Sequence, residues 1–103
     1  MSSDEVMAIA KQFAEQVKRR YTVDKVILFG SYAKGKAWSG SDIDICVVSP
    51  KFGKDAFQDE SELIKIAMKV NHRISPVAYN PEDIQNYWSQ LAHEITSHGI
   101  QIV

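Results

Sequence analysis

Two short groups of residues have the types and spacing that could do chemistry. Gly30 and Ser31 follow an apolar run that predicts a strand, and the residues after them predict a short helix. A strand that ends at a glycine and opens a helix leaves backbone N–H groups free, and these form a ready seat for a phosphate. Glycine lets the main chain approach the ligand closely, and the serine hydroxyl adds a hydrogen bond. The pair therefore predicts a phosphate-binding turn.

The second group is an acidic pair, Asp42 and Asp44, at the start of another predicted strand. Because side chains alternate along a strand, both carboxylates should point to one side, while Ile43 and Ile45 point to the core. Two carboxylates this close repel each other unless a cation lies between them, and Mg²⁺ typically takes one or two protein carboxylates with phosphate oxygens and waters. Together the two groups indicate phosphoryl or nucleotidyl transfer. The alternative is a tight turn followed by a solvated acidic strand start.

Length and charge limit the class of protein. A chain of 103 residues predicts a single domain over residues 1–103. A net charge of −1 disfavours the cationic surface of proteins that grip nucleic acid, so we expect no direct nucleic-acid binding. The single cysteine, Cys46, favours a reducing compartment, and the apolar run at 26–29 is too short to span a bilayer. We therefore expect a cytoplasmic protein with no membrane partner.

Hydrophobic periodicity predicts helices that alternate with strands. The predicted helical segments are 3–20, 31–36, 60–71 and 81–98, and the predicted strands are 23–29, 43–49, 73–79 and 100–103. Nearly continuous apolar runs in the first two strands are typical of strands covered on both faces. The fold class expected from this order is α/β, with a small mixed β-sheet flanked by helices.

Several residues predict how these elements begin and end. Ser2 with Glu5, and Asp59 with Glu62, have the spacing of a capping box at the start of a helix. Pro76 lacks a backbone N–H group, which predicts that its strand lies at an edge of the sheet or has one side unpaired.

The segment 81–98 is open to two interpretations, one helix or two pieces broken near Ser89. Gly99 is expected to end it in the left-handed conformation that commonly follows a helix. We expect one of Tyr87 and Trp88 to pack into the core. If the other aromatic is left exposed, it would suit a protein interface.

The motif as a whole resembles that of a known family. The segments FGSYAKG at 29–35 and SDIDI at 41–45 are similar to the signature of the nucleotidyltransferase superfamily related to DNA polymerase β. The small size, with Pro-Glu-Asp at 81–83 and Gly-Ile at 99–100, resembles the minimal nucleotidyltransferase (MNT) branch. The resemblance implies the nucleotidyltransferase fold and Mg²⁺-dependent transfer of AMP from ATP to a hydroxyl. It also implies an antitoxin whose partner is a HEPN-domain toxin.

The resemblance also implies roles for single residues. Gly30 and Ser31 would hold the terminal phosphates of the nucleotide. Asp42 and Asp44 would bind the metal ions, and with Ser31 they are the candidate catalytic residues. Ser41 would help to hold phosphate or would cap the turn.

Three residues near the motif keep two interpretations each. Lys34 and Lys36 either reach a triphosphate or are solvated lysines on a surface turn, and Lys34 is included among the candidate nucleotide-binding residues. Trp38 either stacks on a base or seals the loop between the two halves of the motif, and one aromatic is weak evidence for stacking.

The chain departs from the family pattern at one position. Active members resembling this chain usually have a third carboxylate on the next strand, where the matching segment RISPV at 73–77 has Ser75. A serine does not act as a general base at neutral pH without help. By alternation Arg73 shares the face of Ser75, and we hypothesise that its cation fills part of that space.

Two functions from different classes follow. One is an enzyme that transfers a nucleoside monophosphate to an acceptor on a partner protein. The other is a catalytically weakened antitoxin that neutralises its partner by stoichiometric binding, which Ser75 favours. The intact phosphate-binding turn and acidic pair favour the enzyme.

Overall fold

Four strands form one mixed sheet with helices on both faces, in a computed structural model that describes residues 1–86 and 88–103. The elements in chain order are α1 (Ser3–Lys18), β1 (Lys25–Phe29), α2 (Ser31–Lys34), β2 (Ile43–Val48), α3 (Ala56–Val70), β3 (Ile74–Tyr79), a 3₁₀ turn (Asp83–Gln85), α4 (Gln90–His98) and β4 (Ile100–Gln101). The predicted α/β class with a small mixed sheet is confirmed.

The strand order across the sheet is β3-β2-β1-β4. Strand β1 pairs antiparallel with both β2 and β4, whereas β2 and β3 are parallel. Pro76 therefore lies in an edge strand, as its missing N–H group predicts.

Each face of the sheet has its own hydrophobic core. The face that packs against α1 and α3 carries Val26, Leu28, Ile43, Ile45, Val47 and Ile74. The opposite face, covered by α4 and the 3₁₀ turn, carries Ile27, Phe29, Cys46 and Val48. Strict alternation along β1 and β2 separates the two sets. The same alternation decides which face of the sheet the acidic pair and its neighbours lie on.

The first predicted capping box is confirmed and the second is wrong. The Glu5 N–H donates to Ser2 Oγ at 3.1 Å, and the Ser2 N–H donates to Glu5 Oε1 at 3.2 Å. Helix α3 begins earlier than predicted, because Asp55 caps it by accepting from the Gln58 N–H at 3.1 Å. Its first turn is exposed and has no inward apolar stripe, so periodicity alone does not mark it.

The segment 81–98 is two pieces, with the break at Ser89. The Ser89 hydroxyl accepts from the Ala92 N–H at 3.1 Å and so caps α4. Trp88 is 95% exposed, whereas Tyr87, the other aromatic considered for the core, lies outside the described residues.

The left-handed stop predicted at Gly99 is wrong, because its φ is −72° and its ψ is 155°, an extended conformation. Glycine is needed there for close packing instead. A Cβ at this position would run into the Ile27 side chain and the carbonyl oxygen of Ile95.

Other boundaries are slightly shorter than predicted. Helix α1 ends at Lys18 rather than residue 20, because the Arg20 N–H donates to the Val17 carbonyl at 2.9 Å in a tighter final turn. Among the described residues, no helix combines the length and the apolar character needed to cross a bilayer.

Candidate active site

The phosphate-binding turn joins β1 to α2 in a conformation that requires glycine. Gly30 has φ +74° and ψ −151°, a region that residues with a side chain rarely adopt. A Cβ on Gly30 would also run into Oδ2 of Asp44. The turn therefore lies directly against a carboxylate of the acidic pair, as the spacing predicts.

Strand β2 presents Asp44 on the face of the sheet that α4 covers. Ile43 and Ile45, on either side of it, are fully buried on the other face, so the predicted alternation is confirmed. Asp44 is half-buried, and Asp42, which precedes the strand, is exposed.

The electrostatics of this region are those of a cation site. Burial raises the pKa of the Asp44 carboxyl above its ordinary value, and the negative charges of Asp42 and then Glu94 raise it further. A divalent cation between the two aspartates would relieve this repulsion, and carboxylate oxygens are ligands that Mg²⁺ prefers. The donor set therefore fits a hard divalent cation.

The loop between the two halves of the motif is closed by its own side chains. The Trp38 N–H donates to Ser41 Oγ at 2.9 Å, and the Ser41 N–H donates back to the Trp38 carbonyl at 2.9 Å. Ser41 is buried, and its hydroxyl therefore caps this turn, the second of the two roles considered. Phosphate binding by Ser41 stays a prediction. The Trp38 ring lies against Gly40, where a Cβ would run into it, although the ring is 70% exposed.

Lys34 lies in α2 and forms an ion pair with Glu94 of α4. Both side chains are about one-third exposed. The hydrogen bond from Lys34, together with its positive charge, lowers the pKa of Glu94. Sequence reasoning missed Glu94, because it stands alone on the polar side of a helix and belongs to no motif.

The register of β2 and β3 pairs Ser75 with Asp44. Residues paired in a parallel sheet point to the same face, so Ser75 occupies the position beside Asp44 on the next strand. In residues 1–86 and 88–103, no three His, Cys, Asp or Glu side chains converge as a metal site. The described site thus has Asp44, the nearby charge of Asp42, and Ser75 beside Asp44.

Arg73 precedes β3, with a half-buried side chain. Its carbonyl accepts from the Ile43 N–H at 2.9 Å, and its N–H donates to Asn71 Oδ1 at 2.9 Å. These bonds fix the main chain at the entrance of the strand. The hypothesis that its cation fills the place of a third carboxylate stays a prediction.

A cavity of about 260 Å³ lies elsewhere, between the 3₁₀ turn and α4. It is lined by Ile84, Gln85, Asn86, His93 and Thr96. None of the candidate site residues lines it, so it is not part of the site built by the motif.

Comparison with known proteins shows the family of this chain. Residues 10–90 match the family model described as a nucleotidyltransferase domain. The chain belongs to this family. A relative from Methanocaldococcus jannaschii, named as a protein adenylyltransferase, is 27% identical over 104 residues, which cover 95% of this chain and 99% of that protein. The activity class expected from the motif, nucleotidyl transfer, is thereby confirmed.

Two solved structures with the same fold superpose on at least 90% of this nucleotidyltransferase. A nucleotidyltransferase from Sulfolobus solfataricus superposes with a TM-score of 0.72 at 18% identity, over 96% of this chain and 80% of that one. A toxin-antitoxin structure with AMP-PNP superposes with a TM-score of 0.67 at 22% identity, over 90% of this chain and 72% of that one. At these identities the likeness establishes the fold.

Proposed function

We propose that this nucleotidyltransferase uses Mg²⁺ and ATP to transfer AMP onto a hydroxyl of a partner protein. The observation that carries the proposal is the contact between Gly30 and Asp44. It brings the backbone that would hold phosphate against Asp44, one of the two carboxylates that would hold the cation. Phosphate and cation sites in contact are what transfer from a nucleoside triphosphate requires.

Each residue of the motif has a part in the proposal. The backbone N–H groups after Gly30, with the Ser31 hydroxyl, bind the terminal phosphates. Asp42 and Asp44 hold Mg²⁺, which when bound neutralises charge that develops on the phosphates. Lys34 can add a positive charge, because it lies in α2, the short helix that begins at the phosphate-binding turn.

The reaction is an in-line displacement at the α-phosphorus. The acceptor oxygen forms a bond to this phosphorus while the bond to pyrophosphate breaks, and the hydroxyl proton passes to water or to a carboxylate beside it. The phosphate-binding turn orients the leaving pyrophosphate by holding its oxygens. Catalysis in such reactions comes mainly from position and charge.

The acceptor is proposed to be a HEPN-type toxin, so that the chain acts as an antitoxin. Two findings support this partner: the relative is named as a protein adenylyltransferase, and a structural neighbour is a toxin-antitoxin with AMP-PNP. The resemblance of the motif to the MNT branch points to the HEPN class in particular.

The test is transfer of label from α-labelled ATP to the protein encoded beside this chain's gene, which is the proposed toxin. We expect label on the toxin with Mg²⁺, none when Mg²⁺ is chelated, and none with Asp42→Asn/Asp44→Asn. Asp24→Asn is the matched control and should transfer normally, since Asp24 is an exposed aspartate just before β1. Labelling that persists in the double variant would contradict the proposal.

The second candidate function is stoichiometric neutralisation, and Ser75 beside Asp44 is the observation that favours it. A chain of this class binds its partner tightly and transfers no label. Its complex would form equally well with the double aspartate variant. That combination of results would replace the enzyme with the binding module.

A further inference from the structure

Transfer to a hydroxyl requires a group that accepts the proton. A positioned side chain in this role typically contributes about 10²–10⁴-fold to the rate. In the proposed function Asp42 and Asp44 are occupied by the cation. Ser75, beside Asp44 on the next strand, is a poor proton acceptor at neutral pH.

Helix α4 brings one more carboxylate to this side of the sheet. Ala92 and Ile95 are buried against the face that also carries Asp44. Glu94 lies between them in sequence, and its carboxylate forms an ion pair with Lys34 of α2. The packing of α4 on the sheet and the ion pair with Lys34 together place the Glu94 carboxylate beside α2.

Two contacts tie Glu94 to the phosphate-binding turn. Lys34, its ion-pair partner, closes the first turn of α2 by donating its N–H to the Gly30 carbonyl at 3.2 Å. Gly30 in turn lies against the Asp44 carboxylate. Glu94 is also close enough for its charge to act on Asp44.

Among residues 1–86 and 88–103 no three His, Cys, Asp or Glu side chains come together, so Glu94 is assigned no ligand role. Glu94 is not one of the acidic pair. Its ion-pair partner, Lys34, is a cation that a triphosphate would attract. When Lys34 turns to the phosphates, the Glu94 carboxylate is left without its counter-charge and becomes a better proton acceptor.

We propose that Glu94 is the proton acceptor for the attacking hydroxyl, an inference that rests on the proposed function. The acceptor oxygen bonds to the α-phosphorus, the bond to pyrophosphate breaks, and the hydroxyl proton passes to a carboxylate oxygen of Glu94. Lys34 binds the phosphates and so releases Glu94 when nucleotide is present.

The experiment compares Glu94→Gln, Glu94→Asp, Lys34→Met and the unchanged chain in single-turnover labelling of the toxin, with Mg²⁺·ATP affinity measured separately. Glu94→Gln should lower the rate constant about 100-fold or more while nucleotide affinity is kept. Glu94→Asp, which keeps a carboxylate, should retain at least about ten times the rate of the glutamine variant. Glu60→Gln, an exposed glutamate of α3, is the control and should match the unchanged chain.

The outcomes separate the inference from the function on which it rests. An unchanged chain that fails to label the toxin contradicts the proposed function itself. Normal labelling by Glu94→Gln overturns only the role of Glu94. The role of Glu94 is also overturned if Glu94→Gln lowers the rate constant and weakens nucleotide binding, and Lys34→Met lowers the rate constant equally. Glu94 would then serve only to hold the lysine.

Discussion

The two faces of the sheet differ in how far their hydrophobic cores extend. The face under α1 and α3 is apolar along the whole of β2, from Ile43 through Ile45 to Val47. On the face under α4, the apolar residues of β2 end at Cys46. The next residue of β2 on that face is Asp44. One strand thus supplies a continuous core on one side and the boundary between core and site on the other.

Cys46 and Asp44 mark that boundary chemically. Burial raises the pKa of the Cys46 thiol to about 12, so this residue packs as a small apolar side chain, as predicted from its place in an apolar strand. Asp44, two residues earlier on the same face, remains half-exposed. The comparison shows that the candidate site lies where α4 stops covering the sheet.

The largest effect is expected from Gly30→Ala. A methyl group there runs into the Asp44 carboxylate and forces an unfavourable backbone conformation, so we predict labelling below detection. Gly35→Ala is the matched control, because Gly35 also has a positive φ, of +72°, yet a Cβ there meets nothing within 4 Å. Its strain should cost about 1–2 kcal/mol of stability while transfer continues. Equal loss of transfer in both variants would refute the role of the Gly30–Asp44 contact.

A substitution on the face under α1 and α3 should lower stability and leave transfer unchanged. Ile45→Ala removes a fully buried side chain and should lower the free energy of unfolding by about 2–5 kcal/mol in chemical denaturation. Labelling measured well below the unfolding midpoint should stay close to that of the unchanged chain. Loss of transfer by the folded variant would mean that the two faces are not separate in function.

The smallest effect concerns stability and pH. Because the folded state raises the pKa of Asp44, its contribution to stability is present below its ordinary value near 3.8 and is lost as the pH rises through the raised value. Without divalent cation, Asp44→Asn should therefore gain stability relative to the unchanged chain as the pH rises from about 4 to 7. Thermal unfolding at several pH values checks this. Added Mg²⁺ should stabilise the unchanged chain and leave the variant unaffected.

Local signals in the sequence predicted most of the fold and the centre of the site. The turn at Gly30-Ser31 and the alternation around Asp44 act over a few residues, so they could be read without a structure. A matching segment predicted Ser75 where the family usually has a third carboxylate, and the strand register pairs this serine with Asp44.

What the sequence did not reveal depends on contacts between distant elements. Glu94 meets Lys34 only because α4 folds back onto the sheet. Gly99 is required by packing against Ile27 rather than by a local turn. The single-domain prediction for residues 1–103 and the roles of the individual site residues stay predictions.

The central claim is that the phosphates of a nucleotide and a divalent cation meet between the Gly30 turn and the acidic pair. A crystal structure of the chain with Mg²⁺ and a non-hydrolysable ATP analogue tests it most directly. We predict the phosphates on the backbone N–H groups after Gly30 and the cation on Asp42 and Asp44. Nucleotide bound in another place, or aspartates that leave the cation to solvent, would contradict the account.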